Sequence, residues 1–150
     1  MVERAIKACF LQSCLATIAM FLTLLILTLE HALIMVSMGA TAFIVFVMPR
    51  EPTARPKNVI GGHLIGLLSG SLCSLIPHAQ ALLLALACAL AVGLSISLMV
   101  ATGTHHPPAS GTALGVVLTG FSIRVVLGVL VGALVLSLIH YLLRDRLTEL

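Results

Sequence analysis

From Ala8 to Leu29 the chain runs without one charged residue. Few features constrain a fold more, because a helix needs roughly 20 apolar residues to cross a hydrocarbon core and this stretch supplies them. Inside a bilayer the backbone must satisfy its own hydrogen bonds, which leaves helices as the reading for so long an uninterrupted run. Five more apolar segments follow: Ala32 to Met48, Val59 to Ile76, Ala81 to Ala101, a short stretch ending near Thr119, and Ile123 to Leu143. Composition argues against a soluble alternative. Apolar residues make up 60%, charged residues 9%, and the mean hydropathy is +1.21, whereas soluble domains carry roughly 25% charged residues. The expectation is an all-α polytopic integral membrane bundle of six segments, with residues 1–150 forming a single transmembrane domain. Met1 to Lys7 followed by so long a run lacks the A-x-A cleavage pattern of a signal peptide, so it reads as a retained first span.

Charge placement predicts the topology. The eight Lys and Arg residues fall at the start (Arg4, Lys7), in the loop between segments two and three (Arg50, Arg55, Lys57), at the end (Arg144, Arg146), and singly at Arg124. If all six segments cross, the three clusters share one side, which is the positive-inside arrangement with both termini cytoplasmic. The clusters therefore read as orientation signals, and not as a surface for nucleic acid. Cys9, Cys14, Cys73 and Cys88 lie within apolar runs at no metal-binding spacing and read as small buried hydrophobes.

Two segments are short. Ala32 to Met48 covers only about 25 Å at 1.5 Å per residue. The order long, short, long occurs twice, which suggests an internal duplication. Val59-Ile-Gly-Gly-His-Leu-Ile-Gly66 can be laid over Val125-Val-Leu-Gly-Val-Leu-Val-Gly132, and Gly39-Ala-Thr41 over Gly111-Thr-Ala113. Three crossings per half would give the halves opposite orientation, the 3+3 inverted-repeat plan of many transporters. Glycines at spacing four, at positions 62, 66 and 70 and again at 128 and 132, make smooth helix faces that suit close association, including a homo-oligomer.

The densest polar interruption is Thr102-Gly-Thr-His-His-Pro-Pro-Ala-Ser-Gly-Thr112. Pro107 and Pro108 remove two backbone donors but are tolerated in a helix's first turn. A short helix starting there would hold Ser110, Gly111 and Thr112 in its first turns and point its N-terminus back toward His106. Such an end carries partial positive charge and suits an anion if it lines a cavity. A kinked turn at the cytoplasmic interface fits the local pattern equally well. Outside this segment, Asn58 stands where it can cap the third helix, with His63 a few residues further on. An imidazole within a membrane segment is a functional candidate by default. Glu30 and His31 read as caps at the outer face, His78 and His140 as interfacial residues, and Arg124 as a snorkelling side chain.

His106-Pro107-Pro108 with its small-residue continuation resembles the signature of the HPP family of integral membrane proteins. Three more stretches are similar to that family and stand in its order: Gly39-Ala-Thr-Ala-Phe-Ile-Val-Phe46, Glu51-Pro-Thr-Ala-Arg-Pro-Lys-Asn58, and Val59 to Gly66. Together they cover about residues 37–120. The sequence departs from the pattern at Ser110, where the family often has Gly, and in its last span, which lacks the family's Pro-containing end. The resemblance implies a compact bacterial inner-membrane protein with plastid relatives linked to nitrite movement.

The leading expectation is a channel or carrier for a small anion, nitrite first. Its pathway would be formed by Ser37, Gly39, Thr41, Asn58, His63, His106, Pro107, Pro108, Ser110, Gly111 and Thr112. Hydroxyls, backbone amides and an imidazole offer donors without a cage of arginines. No acidic residue lies centrally in any segment, which disfavours a cation-coupled carboxylate relay. No resident cofactor, metal or catalytic residue is expected, and no Ser/His/Asp set points to an enzyme. Two alternatives come from other classes: a haem- or metal-binding redox protein using His63, His105 and His106, and a membrane anchor or regulatory module without transport.

Overall fold

The computed structural model describes residues 2–26, 32–77 and 79–150, with side chains described for residues 6–21, 36–77 and 79–150. The described residues form six helices and no strand: α1 (Val2–Ile26), α2 (Ala32–Val47), α3 (Pro56–Cys73), α4 (Ala81–Thr102), α5 (Pro108–Thr119) and α6 (Ile123–Leu143). The expected caps at Glu30 and His31 and the turn residue His78 lie outside the described residues. Among the helices, α4 and α6 are long and apolar enough to cross a membrane by length and composition. With 12 residues, α5 reaches only about 18 Å at 1.5 Å per residue.

Local chemistry sets the helix ends. α3 begins at Pro56 with Arg55 as its N-cap, three residues before the expected start. Proline in the first turn gives up a donor that has no partner there anyway. Asn58 therefore does not cap the helix. It is buried within the first turn, and its Nδ2 donates to the carbonyl of Pro52 at 2.8 Å, tying down the 3-10 turn Pro52–Ala54. α4 ends at Gly103, whose φ of 64° is left-handed, and the next amide, Thr104 N–H, returns to the Met99 carbonyl at 3.0 Å. Glycine adopts this conformation at no steric cost, which turns the chain sharply out of the helix. Gly120, at φ 80° and ψ 159°, stops α5 in a region open essentially to glycine alone.

Packing places small residues inside and leucines outside. On α3, Gly62, Gly66 and Gly70 are buried, while Leu64, Leu68 and Leu72 are exposed. On α4, Ala87, Ala91 and Ser95 face inward, with Leu82, Leu86 and Leu90 outward. The glycine face of α3 lies against α5. A Cβ built on Gly66 would strike the Ala109 carbonyl oxygen, and one on Gly70 would stand 2.6 Å from that of Ala113. This face, expected to serve association between copies, is thus occupied within the chain. Of the cysteines only Cys73 is buried, and Cys9 faces the outside of the bundle.

Four helices meet at the centre, where Met38 of α2, Leu67 of α3, Val116 of α5, and Val125 and Val129 of α6 form one apolar cluster. The main neighbours follow a regular scheme: α1 with α2, α4 with α5, α2 with α5, α3 with α6, α3 with both α4 and α5, and α6 with both α1 and α2. Exchanging α1 for α4, α2 for α5 and α3 for α6 leaves this scheme unchanged. The third helix of each set packs mainly against the other set.

The three basic clusters gather at one end of the bundle. Gln12, just beyond Lys7 on α1, bonds the Phe46 carbonyl at the end of α2 and the backbone of Thr148. The Leu150 amide donates to the Val47 carbonyl at 3.1 Å. Arg124, at the start of α6, is exposed at the other end.

Candidate functional site

Five of the expected residues converge where α2, α3 and α5 meet. Ser37 and Thr41 lie one turn apart on α2, His63 is on α3, Thr112 is on α5, and His106 occupies the turn before α5. All five are buried, four of them to 0% exposure. His63 bonds Thr41 Oγ1 through Nε2 and Thr112 Oγ1 through Nδ1, each at 2.9 Å. Thr112 Oγ1 lies 2.9 Å from Ser37 Oγ. His106 Nε2 lies 2.9 Å from the same Thr41 hydroxyl, and its Nδ1 lies 2.9 Å from the Thr53 carbonyl. The imidazoles meet edge to face with centroids 5.1 Å apart.

Two elements make this possible. Gly62 admits His106, since a Cβ there would lie 2.6 Å from the His106 Cβ. The Pro52–Ala54 turn, held by Asn58, presents the Thr53 carbonyl. Buried polar groups in so apolar a setting are costly unless bonded, and here each ring nitrogen has an oxygen partner.

Counting protons gives the network a direction. A carbonyl only accepts, so His106 Nδ1 donates to Thr53. The Thr41 hydroxyl has one proton for two acceptors, His106 Nε2 and the Ser37 carbonyl, the latter at 3.0 Å. Turned toward His106, it completes a one-way chain between neutral rings: Ser37 to Thr112 to His63 to Thr41 to His106 to Thr53. Turned toward Ser37, it leaves His106 Nε2 to carry its own proton and donate to Thr41. One hydroxyl rotation therefore accommodates one added proton without leaving a group unpaired.

The other expected residues take different places. Ser110 accepts from Ser95 Oγ at 3.0 Å, a partner on α4 that nothing in the spacing of the sequence singles out. Gly111 faces α2, where an added Cβ would make an ordinary contact with that of Ser37 at 3.4 Å. Pro107 borders two grooves, and Pro108 the first of them. One, of 560 Å³, lies toward α2 and includes Ser37 and Gly111; the other, of 410 Å³, lies toward α4 and includes His105 and Ser110. Gly39 is not in the network. It sits in the middle of α2 and lines a separate groove against α1.

The expected amide cradle is corrected. At the start of α5, Pro107 and Pro108 have no N–H, Ala109 N–H bonds the His106 carbonyl, and Ser110 N–H bonds that of Pro107. Those donors are engaged in the turn, and the amide of Gly39 lies within a helix. What the site offers is side-chain hydroxyls and imidazoles. A metal finds no open ring nitrogen at His63 or His106, and His105 is exposed and bonded to neither. His140, expected at the interface, is buried to 1% exposure, with Nε2 at 2.7 Å from the Pro49 carbonyl.

An apolar exterior around a glycine-lined interior of bonded hydroxyls and imidazoles defines an integral membrane protein, because a water-soluble chain rarely exposes so continuous an apolar surface. The chain belongs to the HPP transmembrane-region family, whose match covers residues 2–148 and so takes in the C-terminal span that departs from the motif. A transmembrane protein of Dictyostelium discoideum is 35% identical over 78 residues, covering 52% of this chain and 27% of that protein. The chain thus spans only part of this relative's length. No solved structure matches it.

Proposed function

We propose that the chain is a membrane transport protein, a channel or carrier for a small anion, with nitrite the leading solute. The observation that carries this reading is the Ser37–Thr112–His63–Thr41–His106 network: donors buried at a helix break, with no carboxylate among them. A small anion accepts hydrogen bonds and needs few of them. It can exchange one for one with bonds that these groups make to each other, so passage need not leave a buried donor unpaired. A proton that enters with the anion is accommodated at His106 Nε2 by rotation of the Thr41 hydroxyl. Two grooves flanking the Pro-Pro turn bring the outside of the bundle close to the network on both sides. Nitrite itself comes from what the family resemblance implies about plastid relatives, and it remains an analogy of family.

In this reading the six helices cross a bacterial inner membrane as two inverted three-helix sets, with both termini cytoplasmic. The neighbour scheme, unchanged when the sets are exchanged, supports the repeat. The gathering of basic residues at one end supports the orientation. The site then lies toward the cytoplasmic side, since His106 bonds the loop that carries Arg50 and Arg55. The protein has no catalytic role in this scheme.

Purified protein in liposomes tests the proposal against nitrite, nitrate, formate, bicarbonate and urea compared side by side. Nitrite flux should exceed that of empty liposomes. It should fall roughly tenfold in His106→Ala and in Gly111→Leu, as expected if about 1.4 kcal/mol of stabilisation is lost along the path. Flux equal to that of empty liposomes for every solute refutes transport.

A further inference from the structure

At the basic end of the bundle, outside the histidine network, is a cavity of 420 Å³ lined by Pro49, Arg50, Arg55, His140, Arg144 and Asp145. Its three arginines come from three places: the residue after the α2 turn, the N-cap of α3 and the C-cap of α6. The carboxylate of Asp145 is 94% exposed and 3.6 Å from Arg144 Nε, so it offsets at most one of them. His140, buried to 1% exposure, is one of the residues that line the cavity. Its Nε2 donates to the Pro49 carbonyl, which in a neutral ring leaves Nδ1 as an acceptor, and Nδ1 is buried without a hydrogen-bond partner. A buried acceptor left unpaired costs about 1–3 kcal/mol, so a ligand that brings a donor to it gains on binding.

We propose that this cavity binds a phosphate ester carrying a neighbouring hydroxyl, the chemistry of a phosphoglycerol headgroup. Guanidinium forks match phosphate oxygens in pairs, and the hydroxyl donates to His140 Nδ1. A phosphodiester without a hydroxyl would leave that nitrogen without a donor, and a neutral polyol would leave the arginines without an anion. Exposed apolar side chains adjoin the lining residues in the chain: Met48 precedes Pro49, and Tyr141 and Leu142 follow His140. They offer a surface for acyl chains, as expected of a basic pocket at a membrane interface. The site does not depend on the transport reading.

Native mass spectrometry and thermal unfolding of the detergent-solubilised full chain test it. The probes are phosphatidylglycerol, phosphatidylethanol (same charge, no headgroup hydroxyl), phosphatidylcholine, glycerol 3-phosphate and inorganic phosphate. Phosphatidylglycerol should be retained at least tenfold better than phosphatidylcholine and several-fold better than phosphatidylethanol. The double variant Arg50→Ala/Arg55→Ala, altered only at exposed side chains, should lose that preference while unfolding at the temperature of the parent. Displacement of the lipid by millimolar glycerol 3-phosphate, but not by inorganic phosphate, supports the site with a soluble source. Retention of the lipid against both supports it with a lipid source. Equal retention of phosphatidylglycerol and phosphatidylcholine, or a preference that persists in the double variant, overturns the site. Phosphatidylethanol retained as well as phosphatidylglycerol overturns the role of His140.

Discussion

Replacing Thr41 by valine keeps the shape of the side chain and removes one oxygen. Among the described residues, that oxygen is the only atom bonded to both imidazoles, at 2.9 Å from each Nε2. In the neutral arrangement, His63 Nε2 loses its acceptor and His106 Nε2 loses its donor, both in rings with 0% exposure. Two stranded buried groups at about 1–3 kcal/mol each give about 2–6 kcal/mol. Hydrogen bonds between membrane helices average about 0.6 kcal/mol, because the reference state inside the bilayer also finds partners, which pulls the expectation toward the lower end. We therefore expect Thr41→Val to lose about 2–3 kcal/mol. Thr41→Ser keeps the oxygen and removes one methyl group, at about 0.5–1.5 kcal/mol. Unfolding in mixed micelles, titrated with a denaturing detergent and followed by far-ultraviolet circular dichroism, should rank parent, then Ser, then Val. A valine variant as stable as the serine variant refutes the reasoning, because losing the oxygen would then cost no more than losing one methyl group.

Glycine packing makes a second test. Alanine at Gly70 puts a Cβ 2.6 Å from the Ala113 carbonyl oxygen and 2.7 Å from the Val116 Cβ, an overpacking of about 1–3 kcal/mol. Alanine at Gly93 meets nothing within 4 Å and should be neutral or gain up to about 1 kcal/mol of helix propensity. Thermal unfolding that places Gly93→Ala below Gly70→Ala contradicts the α3–α5 contact. Gln12→Leu removes the bonds to Thr148, whose hydroxyl donates to Gln12 Oε1 at 2.9 Å. Amide exchange at residues 147–150 should then quicken at least tenfold, and an unchanged rate would mean that the tail is held by other contacts.

Helix positions were legible because hydropathy and breakers act locally. Ala81, Ile123 and Leu143 bound their helices as the apolar runs predict, and Gly103 and Gly120 end α4 and α5 where backbone geometry requires glycine. Asn58 misled because two signals compete at the start of α3, and Pro56 with its fixed φ sets the first turn earlier. The candidate site was legible as a set of residue types: Ser37, Thr41, His63, His106 and Thr112 all stand out as polar groups in apolar surroundings. Their mutual bonding was not legible, since it depends on how α2, α3 and α5 cross. Ser95 and the Thr53 carbonyl were missed for the same reason; a serine in a leucine-rich helix and a backbone oxygen carry no local mark. The expected anion cradle at the start of α5 failed through a detail of turn chemistry, the return of the Ala109 and Ser110 amides to carbonyls just before them.

The crossed packing of the third helices bears on how the chain is made. Synthesis delivers α3 while its main neighbours, α4, α5 and α6, do not yet exist. Until they arrive its glycine stripe faces lipid or the insertion machinery, and His63 has Thr41 but neither Thr112 nor the ring of His106. The first three helices are therefore not a finished unit to which three more are added. The partner of α3's glycine stripe arrives only with the turn at Pro107 and Pro108 and the helix it opens, so a defect in that turn should be felt first as failed assembly of helices inserted well before it.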